Sequence, residues 1–203
     1  MAAQGVAVGT GLAGPGLALG GIGLERALTS KPVRDAMRHV LPKVMHLPED
    51  IKITLADSML KSHFDPINRV IRTDYPISPG ILAHEMGHAS GLAAKRPLWH
   101  AIPIGGKILG MPAAAASLIA QAYTDPGSTA TKAWRYAPAA LLTPTILEEI
   151  RASSRALQGL YRAGGKGAML KGLLPLVPAL GTYLAAAGLP IFGGKLVQHY
   201  SSR

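Results

Sequence analysis

Residues 78–90 read Ser78-Pro79-Gly80-Ile81-Leu82-Ala83-His84-Glu85-Met86-Gly87-His88-Ala89-Ser90. A serine followed by proline marks a helix start. The hydroxyl can cap a free amide, and proline at the first helical position gives up no bonded N–H. The pattern predicts a helix over 81–94, opened by Ser78-Pro79-Gly80. On that helix His84 and His88 stand one turn apart on a shared face, so both imidazoles can reach one zinc ion at ~2.0–2.1 Å. Glu85 lies ~100° further round. There a carboxylate suits a base that takes the proton of a metal-bound water. Gly87 leaves room for a second backbone or a ligand to come close. The alternative is a helix with two solvated histidines and no metal.

A catalytic zinc site keeps three protein ligands and one open position. The chain has no cysteine, which excludes disulfides, thiolate ligands and a cysteine nucleophile. The third ligand is therefore His, Asp or Glu. After Asp125 the only acidic residues are Glu148 and Glu149, within a stretch, 145–163, that reads as a polar-faced helix. Glu149 is followed by Ala152, Ser153 and Ala156 at i+3, i+4 and i+7, a small-residue face on which another helix can approach closely. Glu148 is expected to point elsewhere, to solvent or toward Arg151 or Arg155. For both glutamates a charged, solvated helix face is the alternative reading.

Upstream of the motif, 51–54 and 68–73 alternate like short strands, and Lys61-Ser62-His63-Phe64-Asp65-Pro66 between them reads as a turn. The strand ahead of the motif is expected to be an edge strand that pairs with an extended substrate. His63 has two readings: a contact to the substrate carbonyl or oxyanion, or a cap on the turn. Further upstream, Ser30 and Pro32 open a helix with Val33, Ala36, Met37, Val40 and Leu41 on one face, closed by Pro42 and Pro48.

The 203 residues are about one domain long. Their 48% hydrophobic content is unusual in its make-up, with 24 Gly, 16 Pro and 5% aromatics. The net charge of +10 falls mainly on residues 101–203, which carry 10 Lys and Arg against 3 Asp and Glu. These bases are not interleaved with stacking aromatics, so no nucleic acid partner is expected. They flank apolar stretches, as at the cytoplasmic ends of membrane segments. Residues 1–24 form an apolar, Gly-rich segment with no charge before Glu25, long enough to anchor in a bilayer. Residues 108–123 and 136–147 are uncharged or apolar and joined through Asp125-Pro126-Gly127-Ser128, an apolar hairpin within 108–147. Gly164-Gly165-Lys166-Gly167 reads as a basic loop, and 172–194 is a charge-free run of spanning length. The expected organisation is an anchor at 1–24, a metallopeptidase domain at 25–171, and an apolar segment with a basic tail at 172–203.

Three blocks in order resemble the YugP-like membrane zinc metallopeptidases. His63-Phe64-Asp65-Pro66, followed by Arg69-Val70-Ile71-Arg72, is similar to that family's His-Tyr-Asp-Pro and Val-rich strand. Ala83-His84-Glu85-Met86-Gly87-His88-Ala89 is similar to its Ala-His-Glu-Val-Gly-His-Ala. Glu149-Ile150-Arg151-Ala152-Ser153-Ser154-Arg155-Ala156-Leu157 is similar to its Glu-x-x-Ala-Ser-x-Arg-Ala-Leu. The blocks span about 95 residues. The resemblance implies that Glu149 is the third zinc ligand. More distantly, HtpX-like and CAAX-prenyl-protease-like peptidases carry Asp where Ser153 stands, which implies that Ser153 hydrogen-bonds a ligand histidine from behind. The chain departs from the family in Ala89-Ser90-Gly91 after the motif and in its Ala/Gly/Pro-rich apolar segments.

The fold class expected is mainly α: a helical zincin-type metallopeptidase core, a short β-hairpin or edge strand, and several apolar transmembrane helices. The function expected is a membrane-embedded zinc endopeptidase, hydrolysing peptide bonds of a protein or peptide substrate with a water activated by Glu85. The lipid bilayer is its other partner. Residues 148–171 carry five Lys and Arg against two Glu, which places the site on the cytoplasmic side. The alternative is a membrane-interacting structural protein in which HExxH is incidental.

Overall fold

The computed structural model describes residues 19–56, 62–74, 76–90 and 97–201. Most of the expected anchor, 1–18, lies outside the described residues. Its last part opens a helix over 19–28, here α1. The chain continues through α2 (Lys31–Val44), β1 (Lys52–Ala56), β2 (His63–Asp65), β3 (Val70–Asp74), α3 (Pro79–Ala89), α4 (Pro97–Ala122) and α5 (Thr129–Ser201). It is mainly helical with one small sheet.

Two compact units divide the chain. One comprises Leu17–His100 and Glu148–Ala179; the other includes Ala101–Leu147 and Leu180–Arg203.

In the first unit the sheet order is β1-β3-β2, with β1 parallel and β2 antiparallel to β3. Register places Ile53, Ile71 and Phe64 in one row across the three strands. Directly opposed residues share a face, and this row enters the core: Ile71 is fully buried and Phe64 nearly so. Residues 63–65 therefore form a strand rather than the turn expected from their sequence. The turn falls one step later, at 66–69, where the Asp65 carboxylate accepts hydrogen bonds from the amides of Ile67 and Asn68, each at 3.0 Å. Because β2 pairs on one side and β1 on the other, the strand nearest the HExxH motif is central. The edge expected there is already occupied; the sheet's edges are β1 and β2.

The core joins this row to Met37 and Leu41 of α2, Leu82, Ala83, Met86 and Ala89 of α3, and Ala156, Leu160 and Leu176 of α5. Burying a Leu, Ile or Met side chain is worth about 1.5–3 kcal/mol. Leu82 and Met86 of α3, fully buried in the same core as Leu41 and Ile71, fasten that helix to its neighbours.

Helix α5 replaces two expected elements, the apolar run at 136–147 and the helix at 145–163, by one uninterrupted helix. Pro138 and Pro144 lie inside it without ending it. The break comes at Gly164-Gly165, with φ −149°, ψ 17° at Gly164 and φ 69°, ψ −166° at Gly165. The second pair of angles is open essentially to glycine alone. The expected basic loop at 164–167 is thus a two-residue break, after which the chain turns helical again.

In the second unit α4 runs antiparallel to the first part of α5. The Thr145 hydroxyl donates to the Pro103 carbonyl at 2.6 Å, and Ser117 donates to the Trp134 carbonyl further along. The connecting turn is closed by Ser128 N–H to Asp125 O, 3.1 Å. Lys107 does not end α4, although the sequence suggested a start at 108. Its ammonium lies 5.5 Å from the Tyr183 ring centroid, a cation–π contact that keeps the charge within the apolar helix. Among the described residues two helices, over Ala101–Ala122 and Thr129–Val197, are long and apolar enough to cross a membrane.

Candidate metal centre

Helix α3 is anchored at its first turn. The Ser78 hydroxyl accepts the Ile81 amide at 3.3 Å and donates to Glu25 of α1; the other oxygen of Glu25 accepts the Gly80 amide at 2.8 Å. Two of the amides that a helix N-terminus leaves unpaired are thereby satisfied, by a serine and by the Glu25 carboxyl. Burial pushes the Glu25 carboxyl above the ordinary carboxylate range; the bonds from Ser78 and Gly80, then the charges of Arg26 and Lys171, offset this only in part. The helix ends at Ala89, with Ser90 as its C-cap, short of the 94 expected; residues 91–96 lie outside the described residues.

Almost every side chain of α3 is buried, so the helix has no solvated polar face. His84 and His88 instead turn toward α5. There Nε2 of His84 lies 3.2 Å from Nε2 of His88 and 3.0 Å from Oε2 of Glu149, and Nε2 of His88 lies 3.9 Å from the same oxygen. His84, His88 and Glu149 lie close enough together to hold a metal ion. Ligand atoms at ~2.0–2.1 Å from a tetrahedral metal sit ~3.3 Å from one another. The three observed separations bracket that value. The donor set, two imidazoles and a carboxylate, is also of the kind such ions take.

The backs of both imidazoles are held as well. Ser153 Oγ is 3.2 Å from Nδ1 of His84, and Glu148 Oε1 is 3.4 Å from Nδ1 of His88. Were a metal to take each Nε2, each Nδ1 would carry the proton and donate to its partner on α5. Burial opposes charge on His88, but the Glu148 hydrogen bond and the negative fields of Glu85, Glu149 and Glu148 outweigh it and raise its pKa above the usual histidine value. Glu85 is buried beside the first histidine.

Two features bring α3 and α5 together. A Cβ on Gly87 would run into the Ala152 carbonyl oxygen, so the helices touch backbone to backbone there. Arg155 donates to the Gly87 carbonyl at 3.1 Å, placing a cation at the C-terminal turn of α3.

The structure gathers His84, Glu85, His88, Glu149 and Ser153 in one place. His63 is not in the group that could share a metal; it begins β2 with its side chain exposed, opposite Arg72. Glu148, expected to face away, is against His88. Its position follows from the helix angle: Glu148, Ala152 and Arg155 form an i, i+4, i+7 row beside the row of Glu149, Ala152, Ser153 and Ala156. Once α3 rests on Ala152, both rows face it.

Comparison of the chain with protein-family models, with curated proteins and with solved structures gave no match.

Proposed function

We propose that the protein is a zinc-dependent peptidase acting at a membrane. The observation that carries this reading is the convergence of His84 Nε2, His88 Nε2 and Glu149 Oε2 at mutual distances that suit one tetrahedral ion, with Glu85 next to the first of them. His84, His88 and Glu149 would hold the ion. Zinc, when bound, would lower the pKa of a coordinated water to ~7 and polarise a substrate carbonyl. Glu85 would accept the proton of the attacking water and return it to the departing amine, so that water is added across the C–N bond. Ser153 would keep the His84 ring in orientation. The three sequence blocks that resemble the YugP-like metallopeptidases support the same assignment, on sequence likeness alone.

A membrane location is supported by the exposed apolar side chains of α4 and α5, among them Ile108, Leu109, Val177, Phe192 and Leu196, since runs of this size facing water are costly. The bilayer would be one partner and a protein or peptide chain the substrate. The basic character of residues 148–171 favours a site that opens to the cytoplasm.

The test is metal content together with hydrolysis of a fluorogenic protein substrate. Wild type is expected to carry close to one zinc per chain, His84→Ala and Glu149→Gln to lose it, and Glu85→Gln to keep zinc while losing hydrolysis. Wild type purified without chelator and found free of metal would overturn the reading. It would favour a membrane-interacting structural protein with an incidental motif.

A further inference from the structure

We infer that Glu148 is a positioning residue for the metal site. Its carboxylate holds the Nδ1 proton of His88 and so fixes the ring that presents Nε2 to the ion. The inference rests on the zinc reading above and adds to it a residue that neither the HExxH motif nor the Glu149 block contains.

Consecutive residues on a helix differ by ~100°, so Glu148 and Glu149 serve the same partner helix only if that helix is centred between them. The Gly87–Ala152 backbone contact centres it there. Glu149 then points at the metal position from between the two histidines, while Glu148 and Ser153 reach past it on opposite flanks. Glu148 takes the far side of His88 and Ser153 the far side of His84. Both glutamates are largely sheltered, with side chains 15% and 18% exposed, so Glu148 is held against His88 within a packed interface. Arg155, on the same row as Glu148, bonds the Gly87 carbonyl and holds this flank of α5 against the last turn of α3.

Two consequences separate the two histidines. A metal-ligating imidazole is oriented by the partner of its other nitrogen, and a carboxylate there makes it a stronger donor. A hydrogen bond to an ionised acceptor is roughly twice as strong as one to a neutral hydroxyl. His88 has the charged partner and His84 the neutral one. The ion therefore depends more on the Glu148–His88 pair than on the Ser153–His84 pair, although Ser153 stands slightly closer.

The experiment uses the whole chain in detergent and zinc alone as the probe. Zinc affinity is measured by competition with a chromophoric chelator for wild type, Glu148→Gln, Glu148→Asp and Ser153→Ala. Absorption spectra of the cobalt-substituted proteins report the coordination geometry. Glu148→Gln is expected to weaken zinc by roughly 10–100-fold and to change the cobalt spectrum, with the metal-free protein melting as wild type does. Glu148→Asp, which keeps the charge, is expected to recover part of the affinity, and Ser153→Ala to lose less than Glu148→Gln. Wild-type affinity and an unchanged cobalt spectrum in Glu148→Gln would overturn the role of Glu148 while leaving the zinc site standing. A lowered melting temperature with an unchanged spectrum would do the same, by making Glu148 purely structural. If Glu148→Gln does not fold, the Glu148→Asp spectrum and affinity are read by the same criteria. A wild type that binds no zinc removes both this inference and the reading beneath it.

Discussion

Gly87 and Ala152 meet backbone to backbone, and the three donor atoms converge because of that contact. A side chain at 87 would strike the Ala152 carbonyl oxygen, while Glu149 lies less than one helical turn before Ala152.

Gly87→Ala therefore separates two effects that alanine usually combines. In an exposed helix the change would stabilise by about 1 kcal/mol, because glycine is a poor helix former. Here it must push α3 off α5, and overpacking of this kind costs about 1–3 kcal/mol. We expect lower stability in denaturant titration together with weakened zinc binding, since His84 and His88 would move away from Glu149. A Gly87→Ala protein more stable than wild type, with full zinc affinity, would show that the contact is not tight.

Gly165 carries a different constraint. Its φ of 69° with ψ −166° is closed to L side chains, yet nothing lies within 4 Å of where a Cβ would stand. The cost of Gly165→Ala is then conformational alone, about 1–3 kcal/mol. Thermal unfolding of Gly165→Ala beside the neighbouring Gly167→Ala, where a Cβ also meets open space, should show the loss only at 165.

Glu25 makes stability depend on pH with a defined sign. Its folded-state pKa is raised, so folding favours the neutral acid relative to the unfolded chain. That contribution is fully present below the ordinary carboxylate value and is lost as pH rises through the folded value. Glu25→Gln stays neutral and can still pair with Ser78 and Gly80. Its stability relative to wild type should be near zero in acid and become positive toward neutral pH, as read from unfolding curves at several pH values. A glutamine variant less stable than wild type at neutral pH would mean that the charged form is the favoured one.

In the second unit Gln121 is fully buried. Its amide nitrogen donates to Ser117 Oγ and to the Pro190 carbonyl, both at 3.1 Å, and its oxygen accepts from Arg135 Nε at 3.3 Å. Hydrogen bonds between membrane helices average about 0.6 kcal/mol and reach about 1.7 kcal/mol. Gln121→Leu should lower the unfolding temperature in detergent by an amount consistent with one or two such bonds. An unchanged or raised temperature would show that this polar cluster contributes nothing net.

The HExxH pair was legible in the sequence because its spacing is a property of one helix. Glu149 was singled out by the resemblance of its block to the YugP-like peptidases, beside the small residues that follow it at helical spacing. Glu148 was not, because which flank of α5 faces α3 is settled by where the two backbones touch, and that depends on residues 65 positions apart, Gly87 and Ala152. Residues 63–65 look like a turn in the sequence because three residues are too few for a strand pattern, and Asp65-Pro66 is itself a turn signal. Only pairing with β3 makes them a strand. The break at 164–165 was visible as Gly-Gly, whereas the continuity of α5 through Pro144 was not, since proline inside a helix normally argues for an end.

The order of the donors along the chain bears on how the molecule is made. His84 and His88 leave the ribosome early, but Glu149 follows 61 residues after His88, and α4 with the first turns of α5 lies between them. At ~5–20 residues per second that interval is about 3–12 s, during which the nascent chain has two of its three donors and neither α5 partner for the imidazoles. Whatever the complete group does, the growing chain is unable to do it until the apolar hairpin has been synthesised. The group is thus completed only after the apolar hairpin, with residues 172–194 still to come.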